Sequence, residues 1–189
     1  MTSVAVIGAG PYGLSIAAYL HDYGVNTSVF GIPLDTWRSH MPAGMLLKSD
    51  GFASNVYGPK AVGTLADYCR ERGIPYHDTD IPVPLEVFGD YAVDFQRRFV
   101  PGLEEVLVAG LAREGKGFRL KLTDGQDVRA DRVVCGFHGG VSLAIDGRDG
   151  PSRPSCCVSC TSSRISVIEI TGRKRMNRNM SARNKPMVP

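Results

Sequence analysis

The sequence has no apolar run approaching the roughly 20 residues that a membrane-crossing helix needs, so neither a span nor a membrane partner is expected. Basic residues are missing from the start: the first is Arg38, and the early apolar stretch Val4-Ala5-Val6-Ile7 runs straight into glycine. That is not the charged start and long hydrophobic segment of a secretory leader. Cysteine is sparse and odd in number, five in 189 residues. It does not build the dense disulfide framework of a small secreted domain, and a cytoplasmic compartment is the expectation. A strong charge of one sign is also lacking. The net charge is +3, with 13 basic against 16 acidic residues in 1–140 and 9 against 3 in 141–189. All the excess positive charge sits in the last quarter, so the body makes no case for a nucleic-acid partner. What remains, 43% hydrophobic and 22% charged residues, is the composition of one ordinary globular domain of α/β size.

The patterning of the first 140 residues is rich. Residues 3–7 form a short β-branched apolar run that reads as a buried strand. Leu14, Ala17, Ala18, Ile16, Leu20 and Tyr23 then follow helical spacing up to Gly24, and residues 25–30 give a second strand, closing a βαβ unit. Residues 31–60 are punctuated by Gly, Pro, Ser and Asn and read as a long connection of the kind that carries function. Helical periodicity returns over residues 62–73, with Thr64 and Asp67 as a cap and Gly73 as a stop. A second helix starts at Pro84, carries Phe88, Tyr91, Ala92, Phe95 and Phe99 along one face and ends before Pro101-Gly102. Residues 104–136 switch to short strands, one pair turning at Asp124-Gly125.

Gly8-Ala9-Gly10-Pro11-Tyr12-Gly13 satisfies GxGxxG, and it stands directly after a strand and opens a helix, where the spacing has physical meaning. The first glycine allows the tight turn, the second lets backbone approach a pyrophosphate, and the third lets helix and strand pack closely. Phosphates would meet free N–H groups at a helix end worth roughly half a positive charge. Pro11 suits a first-turn position, where its missing N–H has no intrahelical use. An acidic residue about 20 positions on usually binds the ribose hydroxyls. Here the second strand ends Val29-Phe30-Gly31-Ile32, with no carboxylate before Asp35.

Several segments in order resemble the FAD-binding half of flavin-dependent monooxygenases, in the flavin-containing and lysine- or ornithine-hydroxylating branch of the two-dinucleotide-domain flavoproteins. They are VAVIGAGPYGLSIAAYL, the stretch Asp35-Thr36-Trp37-Arg38-Ser39-His40-Met41-Pro42, Gly44-Met45-Leu46-Leu47-Lys48-Ser49, and GFRLKLTDG followed by VRADRVV. The resemblance covers residues 3–136. It implies an α/β fold: a Rossmann-like FAD-binding domain over residues 1–139, a parallel sheet with an added antiparallel segment; the tail over 140–189, which the resemblance does not cover, is basic and rich in Ser and Arg and is expected to be poorly ordered. It also implies FAD as cofactor, NADPH as reductant in full-length relatives and a small-molecule substrate, a small amine or similar nucleophile. Gly8, Gly10, Pro11, Tyr12 and Gly13 would cradle the pyrophosphate, Trp37 would lie near the flavin, and Lys48 and Ser49 would run along its ring system. Gly31 stands where many relatives carry the ribose-binding Glu, and the second FAD signature survives only as Val133-Val134-Cys135-Gly136-Phe137-His138.

No second GxGxxG follows in residues 141–189, so the expectation is a truncated frame lacking the NADPH domain. Cys157-x-x-Cys160 lacks the further ligands of a zinc site and reads as accidental clustering. Arg173-Lys174-Arg175 has no interleaved aromatics and reads as a solvated tail. His40 and His77 sit in polar loops, and no catalytic residue is assigned, because in such enzymes the cofactor carries the oxygen chemistry. Two alternatives stand beside the flavoprotein reading: a single-Rossmann NAD(P)-binding dehydrogenase, and an inactive remnant. The sequence does not address the oligomeric state.

Overall fold

A computed structural model describes residues 1–136 and the backbone of two short strands beyond them, Ala144–Asp146 and Cys156–Cys157. The chain opens with β1 (Ser3–Ile7), α1 (Pro11–Asp22) and β2 (Asn26–Phe30), the βαβ unit expected from its periodicity. α2 (Asp35–Ser39) follows, and two short 3₁₀ turns at Gly51–Ala53 and Pro59–Ala61 punctuate the long connection. Next come α3 (Leu65–Arg72), α4 (Leu85–Phe99) and the two-residue β3 (Leu103–Glu104). β4 (Val108–Glu114), β5 (Gly117–Leu122), β6 (Asp127–Ala130) and β7 (Arg132–Cys135) complete the described body. Among the described residues, no helix is long and apolar enough to cross a membrane.

β3, β2, β1 and β7 line up in that order as a parallel sheet. A second sheet has the order β6-β5-β4-β8-β9, where β8 (Ala144–Asp146) runs parallel to β4 and β9 (Cys156–Cys157) pairs with β8. Alternation assigns the two faces of the parallel sheet. Val4, Val6 and Val29 point to the helices, into a core with Leu14, Ala17, Phe88, Tyr91 and Phe95. Ala5, Ile7, Phe30, Val133 and Cys135 point the other way, against Leu111, Phe118, Leu120 and Leu122 of the antiparallel strands. The result is three layers: helices, parallel sheet and antiparallel sheet.

Local chemistry sets the element ends. At α3 the Thr64 hydroxyl accepts the Asp67 N–H at 3.1 Å while the Asp67 carboxylate accepts the Thr64 N–H at 3.3 Å, a reciprocal cap. Gly73 closes the same helix in the left-handed conformation. Along α4 the aromatic face expected from the sequence forms a continuous ring ladder: Trp37–Phe88 at 5.1 Å, Phe88–Tyr91 at 6.2 Å, Tyr91–Phe95 at 6.5 Å and Phe95–Phe99 at 4.6 Å.

The long connection is held by a few buried contacts. The Tyr91 hydroxyl accepts the Val56 N–H at 3.0 Å and shares its proton between the carbonyls of Val56 and Gly63. The Leu47 N–H donates to Val83 and the Leu85 N–H to Met45, so residues 45–47 run as a short antiparallel pairing beside the start of α4. Apart from β8 and β9, the expected tail, including Cys160 and the basic stretch at Arg173, lies outside the described residues.

Candidate dinucleotide site

β1 ends at Ile7 and α1 begins at Pro11, so the glycine turn sits at the carboxyl end of the parallel sheet, against the helix N-terminus. The Gly8 N–H donates to the Phe30 carbonyl at 2.8 Å, which ties the turn to β2. At Gly13 an added Cβ would lie 1.9 Å from the Gly8 carbonyl oxygen, and at Gly136 it would lie 2.7 Å from the Gly13 Cα. Gly8, Gly13 and Gly136 therefore form a backbone-to-backbone stack in which β1, α1 and the exit of β7 touch without side chains. These glycines are demanded by the fold.

Gly10 is different. Its backbone, at φ −77° and ψ 178°, is open to any residue. The nearest atom to an added Cβ is the Gly136 carbonyl oxygen at 3.8 Å, an ordinary contact. Nothing among the described residues requires a glycine there, while a bound group lying on the turn would. The N–H groups of Ala9, Gly10, Tyr12 and Gly13 find no acceptor among the described residues. They point to the end of a 12-residue helix whose dipole favours negative charge. A cradle that a Cβ would fill, edged by unpaired donors, fits a pyrophosphate.

The other residues singled out in the sequence are not all brought to this turn. Pro11 opens α1 and Tyr12 beside it is exposed. The Leu34 N–H donates to the Ala9 carbonyl at 3.0 Å, which anchors the start of α2 to the turn. Trp37 on that helix turns its half-buried ring onto Phe88. Lys48 is exposed and has no ion-pair partner among the described residues. Ser49, also exposed, is 2.8 Å from the Ser54 hydroxyl. Both belong to the strip that runs on from Leu47. His40 lies 3.9 Å from the Asp35 carboxylate at the surface. Burial raises the Cys69 thiol above its ordinary range, so it stays a protonated, apolar side chain.

Gly31 explains the missing carboxylate. Its φ is +140°, and an added Cβ would sit 3.0 Å from the Ala9 nitrogen and 3.3 Å from the Gly8 Cα. A glutamate cannot occupy this position without moving the turn it would serve. The sequence showed the gap but not its steric cause. It showed Gly136 only as the survivor of an eroded signature, whereas the structure makes that glycine a wall of the site.

A family model described as FAD-NAD(P)-binding matches residues 5–137, well over half of the chain. The chain belongs to this FAD-NAD(P)-binding family. No curated protein matches it in sequence. Among solved structures it is similar to the flavin-containing monooxygenase of Stenotrophomonas maltophilia, at 20% identity and a TM-score of 0.56, covering 71% of this chain and 38% of that one. The lysine monooxygenase NbtG of Nocardia farcinica gives 16% identity and 0.55, covering 77% and 45%. The bacillithiol disulfide reductase of Staphylococcus aureus gives 14% and 0.55, covering 71% and 38%. At such identities the likeness establishes the fold, and the chain spans less than half the length of each of these proteins. The family's cofactor class, FAD or NAD(P), agrees with the cradle.

Proposed function

We propose that the chain is the FAD-binding part of a flavin-dependent oxidoreductase of monooxygenase type. In the whole protein it would oxygenate a small amine or similar nucleophile with NADPH as reductant. The observation that carries the reading is Gly10, a glycine that no neighbouring atom among the described residues and no backbone angle requires, beside four N–H groups that find no acceptor among those residues. The resemblance of the Trp37 and Lys48 segments to flavin-containing and N-hydroxylating monooxygenases supports the finer branch, as do the two monooxygenases among the similar structures.

In this reading the amides of Ala9, Gly10, Tyr12 and Gly13 bind the two phosphates, and the α1 dipole offsets their charge. Gly136 and Gly13 keep the floor of the site at backbone height. Bound FAD supplies the electron transfer and oxygen chemistry, so the chain needs no nucleophile of its own. Purified protein is expected to carry, or take up, a yellow chromophore with flavin absorbance in the visible, and Gly10→Val is expected to abolish it. Folded but colourless protein that takes up no added FAD would overturn the reading. A melting temperature raised by nicotinamide nucleotides and not by FAD would favour a dehydrogenase instead.

A further inference from the structure

Resting on the dinucleotide reading above, we infer that Leu34 is a positioning residue of the site, one that aims the Gly10 N–H at the phosphates through the peptide it holds. The Leu34 N–H donates to the Ala9 carbonyl at 3.0 Å. The peptide joining Ala9 to Gly10 is planar and trans, so its C=O and its N–H point in opposite directions. The carbonyl is turned inward onto Leu34, which is only 1% exposed, so the Gly10 N–H points outward. There it finds no acceptor among the described residues. The Gly10 carbonyl is already committed, accepting the Leu14 N–H at 3.0 Å to start α1. Its amide is the group left for a ligand, and Leu34 fixes the direction of that amide.

Leu34 does this from a costly backbone. Its φ of 54° and ψ of 26° are left-handed, a conformation that residues with a side chain hold only where their surroundings over-determine it. Lys60, Ala61 and Asp80 also have positive φ, but they lie at the surface, whereas Leu34 is buried. Three anchors keep it there. Its side chain belongs to the helix-side core that includes Ala9 and Leu14, its carbonyl accepts the N–H groups of Trp37 and Arg38 at 2.8 and 2.9 Å to start α2, and its amide reaches back to the turn. Returning φ to the right-handed region would carry the side chain and the carbonyl away from the core and α2 while the amide stayed in place. The left-handed backbone satisfies all three at once. Strain of this kind at the edge of a ligand cradle sets a donor before the phosphates arrive.

The test uses the full chain and two probes, ADP and adenosine, by isothermal titration, with FAD uptake followed in parallel. The ratio of the two affinities reads the phosphate cradle. One variant carries the α-hydroxy counterpart of leucine at position 34, introduced by nonsense suppression, which replaces the donating N–H by an ester oxygen and keeps the side chain. Its ratio is expected to fall about tenfold, the equivalent of one charge-assisted hydrogen bond, with adenosine affinity unchanged. Leu65→Ala, in the core at the start of α3, is expected to lower the melting temperature and keep the ratio. A ratio preserved in the ester variant, or lost equally in Leu65→Ala, overturns the assignment while leaving the FAD reading standing. Should the ester variant not fold, amide NMR of wild type decides: the Gly10 proton is expected to move downfield with ADP and not with adenosine, and the Leu34 proton to be protected from exchange. Failure of either overturns the assignment. Equal affinities for ADP and adenosine in wild type overturn it too, and FAD uptake then shows whether the cofactor reading stands. Failure to bind ADP and FAD alike removes both.

Discussion

Replacing Gly13 and Gly10 one at a time separates what the fold needs from what a ligand needs. In Gly13→Ala the new methyl would begin 1.9 Å from the Gly8 carbonyl oxygen and 3.0 Å from its carbon. Relief requires opening the junction of β1 and α1 by more than an ångström, and both partners are backbone. Overpacking costs about 1–3 kcal/mol when side chains yield, and a backbone wall puts this site at the top of that range. At about 3 kcal/mol the melting temperature should fall by roughly 10 °C for a domain of this size. In Gly10→Ala the methyl meets nothing nearer than 3.8 Å. The poorer helix cap costs several tenths of a kcal/mol, and the stiffer unfolded chain returns about 0.4–1 kcal/mol, so the net is near zero. Thermal and urea denaturation followed by far-ultraviolet circular dichroism, without added cofactor, measures both. Flavin fluorescence titration should then show FAD binding weakened at least tenfold in Gly10→Val. Equal loss of stability in the two alanine variants, or unimpaired FAD binding in folded Gly10→Val, would refute the division of roles.

Three further outcomes follow from the same geometry. Gly31→Glu restores the acidic residue common in relatives, yet it meets the Ala9 nitrogen at a φ of +140°; it should destabilise by about 1–3 kcal/mol and improve no nucleotide affinity, as denaturation and titration will show. Tyr91→Phe leaves the buried Val56 N–H without its acceptor and should cost about 1–3 kcal/mol by urea denaturation. The Asp67 carboxyl is held below its ordinary range, first by the Thr64 hydroxyl and then by Arg70. A depressed carboxylate adds stability above its unfolded value, near 3.9, and loses it as pH falls through the folded value. Thr64→Ala should therefore lower stability at neutral pH by about 1 kcal/mol and flatten its decline below about pH 4, measured by thermal melts across pH.

Much of the fold was legible because its signals are short-ranged. The cap at Thr64 and Asp67, the stop at Gly73 and the aromatic face of α4 each depend on residues three or four positions apart. The same holds for the GxGxxG turn between a strand and a helix. The long connection was legible as such, but not what holds it, since Tyr91 fastens Val56 from 35 positions away and no local period records such a bond.

The sequence alone determined the βαβ opening, the switch to short strands after residue 104 and the presence of a glycine turn suited to phosphates. Which glycine serves the ligand was decided only by tertiary structure, because Gly13 and Gly10 look alike until Gly8 and Gly136 are brought against one and not the other. Trp37 resembled a flavin neighbour in sequence, and in space its ring meets Phe88. The gap at Gly31 was visible in the sequence. The pairing of β3 beside β2 was not, since parallel register joins residues more than 70 positions apart and leaves no trace in either strand's own pattern.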